Sequence, residues 1–561
     1  MKKTIHIISI VLLSLIAGHG QTLAQSPAVQ KAAKSVVTLT TFKADGSILS
    51  TTHGAYCGEK GEVIAAFTPF VGASSAIIMD AAGKKYDVDA ILGADDMYDV
   101  CRFRVNNNAS TPLPTATSAV TSKAWTLGYS TKKATINGVT LKGSEKFLDK
   151  YTYYTFNEEV DEENDGCPVV DDNGMLVGLV QRIKTNYDIH VTDAAYYLQL
   201  TTNGLSLASS VMQKTNIRPA LPTDHEQARL MLIMLNNNML PATTQGIINE
   251  YISRFPEDND GYVTKAKFAI DNATNRDYSE AASILEGAMK KVASKDELLA
   301  EYSRLIYTTA VYSNDSIPAS WTLNDAETQI NNALAISNQP AYRHQLAQIT
   351  YAKGDYAKAY DIFSEVSKTD ISSSEIFYEC AQCKLQMQAD NQEVLALLDS
   401  AVNKAPQPLT QVSAPYLLAR GMARFNAGEL RPALQDYNMY DTLMLFRASD
   451  DFYYTRYQCE MKLRQYQPAL NDIAHACVIN QQEPTYLAEL ASLQLRVGHF
   501  EEALQACDIC LMLTEEYPDI YIIKGMALIR LERKDEALQA FQKAKDLGDE
   551  RGDEYLTKYA N

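Results

Sequence analysis

The sequence contains no run of lysines or arginines, and its 561 residues carry a formal net charge of −18. Nucleic acids and anionic lipid surfaces are bound by segregated positive charge, so neither is predicted as a partner. No apolar stretch beyond the N-terminus is long enough to cross a bilayer, and no membrane span is predicted. The length corresponds to roughly two to four domains.

The N-terminus has the features of an export signal. Lys2 and Lys3 precede an apolar run over residues 5–17, and Thr22-Leu23-Ala24 forms a small-x-small cleavage site. The apolar run is too short to span a bilayer, and no cysteine follows it, which argues against lipid attachment. A short buried helix is the alternative, but the order of the three features favours cleavage. We predict a signal peptide over residues 1–24 and a periplasmic, secreted or cell-surface chain.

The nine cysteines are an odd number for an exported protein, which leaves at least one thiol without a partner in the same chain. Two pairs, Cys380/Cys383 and Cys507/Cys510, have the C-x-x-C spacing of zinc ligands. Both pairs fall inside apolar helical patterns and lack a knuckle turn. They are therefore predicted to fill the core, and no cofactor is expected.

Short β-rich runs separated by turn residues occupy residues 26–213. They include Val36 to Phe42, Tyr86 to Leu92 and Tyr196 to Leu200. Many short strands of this kind predict an all-β barrel or sandwich.

Several motifs in this region fall in one ordered series. Residues 61–66, with the sequence GEVIAA, come first and Val71-Gly72-Ala73 follows, then Leu127-Gly128, Asp165-Gly166-Cys167-Pro168 and Leu176-Val177-Gly178. The series resembles the trypsin-like serine proteases of the HtrA type over roughly residues 30–210. The resemblance implies a double β-barrel of the chymotrypsin class.

The resemblance puts the family's catalytic histidine, aspartate and serine at Thr68, Asp99 and Asp165, so that only the aspartate is kept. A threonine does not accept the proton of a nucleophile as an imidazole does. An aspartate at position 165 adds negative charge where an oxyanion would form, and further carboxylates precede it in residues 158–163. No catalytic residue is expected at these three positions.

Two other uses of this loop stay open. Cys167 is a candidate thiol nucleophile with His53 or His190 as its base, although it lies two residues beyond the family position, and a buried structural cysteine is favoured. Asp161, Glu163 and Asp165 alternate like the ligands of a calcium loop. The terminal glutamate of such a loop is missing, so a solvated acidic loop is favoured and no metal is predicted.

Residues 214–223 are predicted to be a linker. Pro219 and Pro222 block both helix continuation and strand pairing. Any motion between the domain at residues 26–213 and the one at residues 224–561 would hinge on this segment.

The region from residue 224 to residue 561 repeats with a period of 34 residues, which separates Ala469, Ala503 and Ala537. Small residues recur at Ala491 and Gly525 in the helices that precede the last two of these alanines. The pattern resembles tetratricopeptide repeats, in which each helical hairpin buries its apolar face against its neighbours. The sequence therefore predicts an all-α superhelix of about nine hairpins after the all-β double barrel.

The small repeated residues are interpreted as packing positions, and other positions of each first helix are expected to line the concave groove. Those groove positions are His344, Gln348, Tyr351, Tyr378, Gln382, Tyr454, Gln458 and Met526. Tyrosines beside amides suit an extended peptide or a helix of a partner protein. The same side chains would also line a solvated groove without a partner.

Three hypotheses of function follow. The first is an exported, non-catalytic trypsin-like domain joined to a repeat scaffold that binds protein or peptide partners. The alternative is an active serine-type or Cys167-based endopeptidase whose repeats recruit substrates. In the third, which overlaps with the first, the barrel domain is itself the docking module.

Overall fold

A computed structural model describes residues 26–59, 61–130, 133–157, 165–182, 188–236, 239–312 and 320–560. The predicted signal peptide and residues 158–164 of the acidic loop, including Asp161 and Glu163, lie outside these ranges. The chain forms two compact units, one that ends at Ser294 and one that begins at Lys295. In the described ranges, no helix combines the length and the apolar character that a membrane span requires.

The first unit begins with helix α1 (Pro27–Ala32) and a closed barrel of six antiparallel strands. The strands are β1 (Val36–Phe42), β2 (Ile48–Tyr56), β3 (Glu62–Ala65), β4 (Ser75–Asp80), β5 (Lys85–Asp95) and β6 (Val100–Val105). They are hydrogen-bonded in the order β1-β2-β3-β6-β5-β4. The barrel interior is apolar and includes Leu39, Ile78, Phe70 and Phe103. The ring centroids of Phe70 and Phe103 lie 5.2 Å apart.

A second closed six-stranded barrel follows. Its strands are β7 (Lys123–Ser130), β8 (Lys133–Phe147), β9 (Tyr151–Asn157), β10 (Pro168–Val170), β11 (Leu176–Arg182) and β12 (Ile189–Asp193), in the order β10-β11-β12-β9-β8-β7. A shared core joins the two barrels, because Val36 and Ile64 of the first pack in one cluster with Leu127 and Leu179 of the second. The prediction of an all-β double barrel is therefore confirmed.

The prediction of a strand from Tyr196 to Leu200 is wrong, because helix α2 (Ala194–Gln199) occupies this stretch. The Asp193 carboxylate accepts a hydrogen bond from the Ala195 N–H and caps the helix. The adjacent residues Tyr196 and Tyr197 are both buried in the shared core. In a strand, the side chains of these two adjacent tyrosines would point to opposite faces of the sheet.

The predicted linker is bound to the first barrel. The Ala220 N–H donates to the Ile91 carbonyl (2.8 Å), and the Ile91 N–H donates to the Arg218 carbonyl (3.0 Å). Ile217 is buried in the core of the first barrel. The proline-containing segment is thus ordered along β5, even though its prolines prevent a continuous ladder.

Helical hairpins form the rest of both units. The first unit contains α3 (His225–Ile233), α4 (Pro241–Arg254), α5 (Asn259–Asp271) and α6 (Ser279–Ala288). The second unit contains α7 (Lys295–Tyr312), α8 (Leu323–Ile336), α9 (Pro340–Ala352), α10 (Tyr356–Val366), α11 (Ser374–Gln386), α12 (Asn391–Lys404), α13 (Ala414–Asn426), α14 (Leu430–Leu443), α15 (Asp450–Lys462), α16 (Tyr466–Ile479), α17 (Pro484–Val497), α18 (Phe500–Leu513), α19 (Pro518–Arg530), α20 (Lys534–Asp546) and α21 (Glu550–Tyr559). From α3 to α20 these helices pair in sequence as hairpins, and α21 packs on α20. The prediction of an all-α repeat region is confirmed.

The repeated small residues are packing positions, as predicted. A Cβ atom at Gly525 would lie 2.4 Å from Phe541, and one at Gly421 would lie 2.6 Å from Tyr437. In these two hairpins, glycine therefore lets the paired helices approach closely enough to bury the opposing ring.

All nine cysteines are free thiols, and eight of them are buried. Cys380 and Cys383 pack in one apolar cluster, and Cys507 and Cys510 pack in another. The prediction that the two C-x-x-C pairs fill the core is confirmed.

Candidate functional site

The first barrel brings together Thr68 and Asp99, which the sequence resemblance assigns to the positions of the family's histidine and aspartate. Thr68 opens a 3-10 turn after β3, and Asp99 directly precedes β6. The Thr68 N–H and hydroxyl both donate to Asp99 Oδ1, at 2.6 Å and 2.9 Å. Asp99 has a φ of +50°, in the left-handed region that aspartate tolerates better than most residues.

Asp165, the third position, lies in a turn of the second barrel that contacts the first. The Thr52 hydroxyl on β2 donates to the Asp165 carbonyl (3.0 Å), and the Gly166 N–H donates to the Val180 carbonyl (3.0 Å). Gly166 has a φ of +76°, and a Cβ atom there would lie 2.5 Å from the His53 carbonyl oxygen. Only glycine fits this turn, so the close approach of its backbone to β2 depends on Gly166.

Tyr197 on α2 is a site residue that the sequence did not identify. Its side chain is completely buried, and its hydroxyl has no hydrogen-bond partner among the described residues. Burial raises the pKa of Tyr197 well above its ordinary value, and the negative charges of Asp99 and Asp165 raise it further. The phenol is therefore protonated and lies within electrostatic range of both carboxylates. One sequence signal could have indicated that Tyr197 lies on a helix: Asp193, a good helix-capping residue, stands directly before two alanines.

The three positions that the resemblance assigns to the catalytic triad hold Thr68, Asp99 and Asp165. Thr68 already uses Asp99 Oδ1 through both its N–H and its hydroxyl. A carboxylate at Asp165 carries a charge of the same sign as the oxyanion that acyl transfer would develop.

Cys167 lies in the apolar core of the second barrel and is fully buried. Burial, with a smaller contribution from Asp165, raises the pKa of Cys167 to about 12, so the thiol is protonated at neutral pH. His190, one of its two candidate bases, stacks on Tyr153 with ring centroids 5.6 Å apart. Burial lowers the pKa of His190 below its ordinary value. These features fit a structural cysteine.

The calcium interpretation depends on residues of which only Asp165 is described. In the described part of the chain, no three histidine, cysteine, aspartate or glutamate side chains gather as a metal-binding group.

The predicted groove residues are all half-buried, and they lie on four first helices. His344, Gln348 and Tyr351 are on α9, Tyr378 and Gln382 on α11, Tyr454 and Gln458 on α15, and Met526 on α19. The structure brings the α9 and α11 residues together in adjacent hairpins. The α15 and α19 residues lie in other hairpins of the same unit.

Glu379 on α11 connects His344 and Gln348, and the sequence did not single it out. His344 Nε2 lies 2.5 Å from one Glu379 oxygen, and Gln348 Nε2 donates to the other at 2.8 Å. Burial lowers the pKa of His344, but the hydrogen bond and charge of Glu379, with Glu375 beyond it, raise the pKa above its ordinary value overall. The cluster is therefore a charged hydrogen-bond network that links two hairpins.

Two of the predicted groove tyrosines pack against tyrosines of a neighbouring hairpin. Tyr378 packs against Tyr416 at 5.2 Å between ring centroids, and Tyr454 packs against Tyr486 at 5.0 Å. Half-buried phenols of this kind present rigid apolar area with polar tips. The groove surface thus has the chemistry of a protein-contact surface.

Comparison with known proteins gives matches to parts of the chain. Residues 322–401, from α8 to α12, match the family model of the anaphase-promoting complex, cyclosome, subunit 3. No curated protein matches the sequence.

Three solved structures are each similar to about a third of the chain. The Rv3671c protease of M. tuberculosis in its active form is 18% identical, with a TM-score of 0.27, over 31% of this chain and 86% of that chain. The HtrA-type protease AlgW with a tripeptide is 17% identical, with a TM-score of 0.27, over 31% of this chain and 60% of that one. YrrB, a TPR protein with an unusual peptide-binding site, is 17% identical, with a TM-score of 0.31, over 35% of this chain and 97% of that one.

The two closed barrels and the helical hairpins define the class of architecture. It is a domain of two closed six-stranded β-barrels followed by helical hairpins that resemble tetratricopeptide repeats.

Proposed function

We propose that this chain is an exported, non-catalytic trypsin-like protein whose helical repeats bind protein or peptide partners. One observation carries the proposal: Thr68 donates both of its hydrogen-bonding groups to Asp99, at the point where a protease needs an imidazole. The reaction requires a base that is held by the aspartate and faces the nucleophile. At the positions that the resemblance assigns to the base and the nucleophile, this chain has Thr68 and Asp165.

Binding is assigned to the concave groove because its side chains combine contact area with hydrogen-bonding capacity. Tyr378 and Tyr454 each pack against a tyrosine of the following hairpin in a tilted arrangement, so their rings are held in place before a partner arrives. Rings that are already ordered lose little conformational entropy on binding. The amides of Gln382 and Gln458, one helical turn further on, supply donors and acceptors for a peptide backbone.

Export through a signal peptide at residues 1–24 and a division between domains at residues 214–223 remain parts of this proposal. The order of basic, apolar and small residues at the N-terminus supports the first. Intact mass measurement of the chain recovered from a secreting host tests it, with Gln25 as the expected first residue. A chain that keeps residues 1–24 would contradict it.

The test of catalysis uses the purified full chain with a fluorophosphonate probe and a thiol-reactive peptide probe. An active trypsin-like protease is labelled in parallel, and an unfolded protein serves as substrate. We expect neither labelling nor turnover. Heat-sensitive labelling with turnover that disappears in Asp165→Ala or in Cys167→Ala would establish the peptidase alternative instead.

The test of binding is a crosslinking pull-down followed by mass spectrometry. The double variant Tyr378→Ala with Tyr454→Ala is expected to lose the partners that the wild type captures. Phe446→Ala is the control, because this exposed aromatic residue lies in the turn after α14, outside the groove. If the double variant retains every partner, the groove is not the binding surface.

A further inference from the structure

Carboxylates recur beside two of the groove tyrosines. Glu375 is the second residue of α11 and Tyr378 is the fifth, and Asp451 and Tyr454 hold the same two places in α15. Residues three apart on a helix lie on the same face. The same pair of residue types therefore stands at equivalent places in two hairpins that are separated by one other.

Contacts across neighbouring helices complete the first of these sites. Tyr416 on α13 packs against Tyr378 at 5.2 Å between ring centroids. Burial raises the pKa of Tyr416 above its ordinary value, and the negative charges of Glu375 and Glu379 raise it further. Both carboxylates therefore lie within electrostatic range of this phenol. We call Glu375, Tyr378, Glu379 and Tyr416 the first site.

The second site is built in the same way between α15 and α17. Tyr486 packs against Tyr454 at 5.0 Å between ring centroids, and its hydroxyl donates to the Asp451 carboxylate at 3.0 Å. Tyr457, which stacks on the other tyrosine of α15 at 5.9 Å, donates to Glu489 at 2.7 Å. We call Asp451, Tyr454, Tyr486 and Glu489 the second site.

The charge of these carboxylates is largely uncompensated. In the described part of the chain, Glu375, Asp451 and Glu489 form no ion pair, and Glu379 pairs only with His344. Basic residues of α9, α11, α13 and α15 pair instead with carboxylates of second helices. These pairs are Arg343 with Glu365, Lys384 with Glu393, Arg420 and Arg424 with Asp436, and Arg456 with Asp472. The two sites thus keep negative charge next to tyrosine rings.

Given the proposed function of the groove, on which this step rests, we propose that its partner is a basic segment of another protein. Lysine or arginine side chains of this segment lie over the tyrosine rings of the two sites. A cation is attracted to the face of a phenol ring, and an adjacent carboxylate adds a charge-assisted hydrogen bond. The net charge of −18 also attracts a basic partner before contact is made.

Other occupants fit the two sites less well. An acidic segment would be repelled by Glu375, Asp451 and Glu489. A neutral segment would cover these carboxylates without providing a cation, and the loss of their hydration would then be uncompensated. Basic side chains are the groups that satisfy the carboxylates and the rings together.

The test measures the fluorescence anisotropy of three labelled peptides that are titrated with the purified full chain. Each peptide has twelve residues, in which serine alternates with lysine, glutamine or glutamate, and each is about 40 Å long when extended. We expect the lysine peptide to bind about tenfold more tightly than the glutamine peptide and the glutamate peptide not to bind. Added salt is expected to weaken binding of the lysine peptide.

A double variant locates this binding in the groove. Glu375→Gln with Glu489→Gln removes one carboxylate from each site and is expected to weaken binding of the lysine peptide about tenfold. The control is Glu429→Gln with Glu501→Gln, which removes two exposed glutamates outside both sites and changes the net charge equally. The control is expected to bind like the wild type, and circular dichroism checks that each variant is folded.

The outcomes separate this proposal from the proposed function. If the Tyr378→Ala with Tyr454→Ala variant loses its partners in the pull-down while the wild type binds the lysine and glutamine peptides equally, the groove binds proteins without a preference for basic ones. Only the proposal of a basic partner is then overturned. Failure of the lysine peptide to bind would also overturn it. An equal loss of affinity in the control would overturn it too, since the attraction would then come from the acidic chain as a whole.

Discussion

Thr68 donates its backbone N–H and its hydroxyl to a single oxygen of Asp99, at 2.6 Å and 2.9 Å. In a trypsin-like protease the corresponding carboxylate holds an imidazole ring in position. Here the same carboxylate fixes the short turn that follows β3. Asp99 therefore contributes to the local structure of this turn.

The first prediction concerns this pair. Thr68→Val removes the hydroxyl donor and leaves Asp99 with one hydrogen bond fewer, so we expect a loss of about 1 kcal/mol in the free energy of unfolding. Thr68→Ser keeps the hydroxyl and is expected to change stability by much less. Urea titrations of both variants measure the difference. Equal stability of the two variants would mean that the hydrogen bond from the Thr68 hydroxyl to Asp99 contributes nothing to the free energy of unfolding.

The second prediction compares two adjacent tyrosines. The Tyr197 hydroxyl is buried without a hydrogen-bond partner among the described residues, whereas the Tyr196 hydroxyl donates to Asp95 at 2.5 Å. Tyr197→Phe removes an unsatisfied polar group and is expected to stabilise the protein by about 1 kcal/mol. Tyr196→Phe leaves a carboxylate without its donor and is expected to destabilise it by about 1–3 kcal/mol. Thermal unfolding of the pair should therefore shift in opposite directions.

These two tyrosines also show which part of the structure the sequence does not predict. The motif spacing assigns Thr68 and Asp99 to one site, and the structure brings these two residues into hydrogen-bond contact. The stretch from Tyr196 to Leu200 was assigned to a strand since aromatic residues favour strands in general. Burial of both rings in the core between the barrels overrides that preference, and such tertiary contacts are not visible in local sequence.

The helical half illustrates the same point. The period of 34 residues identified the helix faces and therefore His344 and Gln348. Glu379, which binds both, belongs to the next hairpin and lies 31 residues beyond Gln348. A repeat pattern specifies which residues share a face within one hairpin. The polar partners across hairpins depend on how the hairpins stack, which the pattern alone does not specify.

The third prediction concerns pH and Glu460 on α15. Burial, followed by the negative charge of Asp472, raises the pKa of Glu460 from its ordinary value of 4.5 to about 8. Between these two values the unfolded carboxyl is ionised while the folded one still holds its proton. Stability should therefore fall as pH rises from 4.5 to about 8, by at most ~1.4 kcal/mol per pH unit from this group.

Glu460→Gln removes the carboxyl group that holds a proton in the folded protein and loses it on unfolding. We expect the variant to be more stable than the wild type at pH 9 and to differ from it much less at pH 5, as measured by urea unfolding at the two values. The exposed Glu501 on α18 provides the matched control, and Glu501→Gln should follow the wild type at both pH values. A difference between Glu460→Gln and wild type that is the same at both pH values would contradict the raised pKa.

The last prediction concerns how the linker is attached. Arg218 of the linker forms ion pairs with Asp89 on β5 and Glu250 on α4, both at 2.6 Å. Glu250 also pairs with Arg104 at 3.1 Å and with Arg254 at 2.7 Å. Without the Glu250 carboxylate, the guanidinium groups of its three arginine partners would share a partly buried site with Asp89 as the one carboxylate left in this network. We expect Glu250→Ala to cost about 2–3 kcal/mol in the free energy of unfolding.

Limited proteolysis distinguishes this network from ordinary surface ion pairs. In Glu250→Ala, cleavage within residues 214–223 should become faster, because the segment then leaves β5 more often. Glu280→Ala on α6 removes an exposed glutamate from the same unit and is expected to leave the cleavage rate unchanged. The network would be energetically neutral if both variants were cleaved at the wild-type rate. If Glu250→Ala alone accelerates cleavage, the ion pairs hold the linker against the barrel, and the proline-containing segment is fixed by charge as well as by its backbone hydrogen bonds.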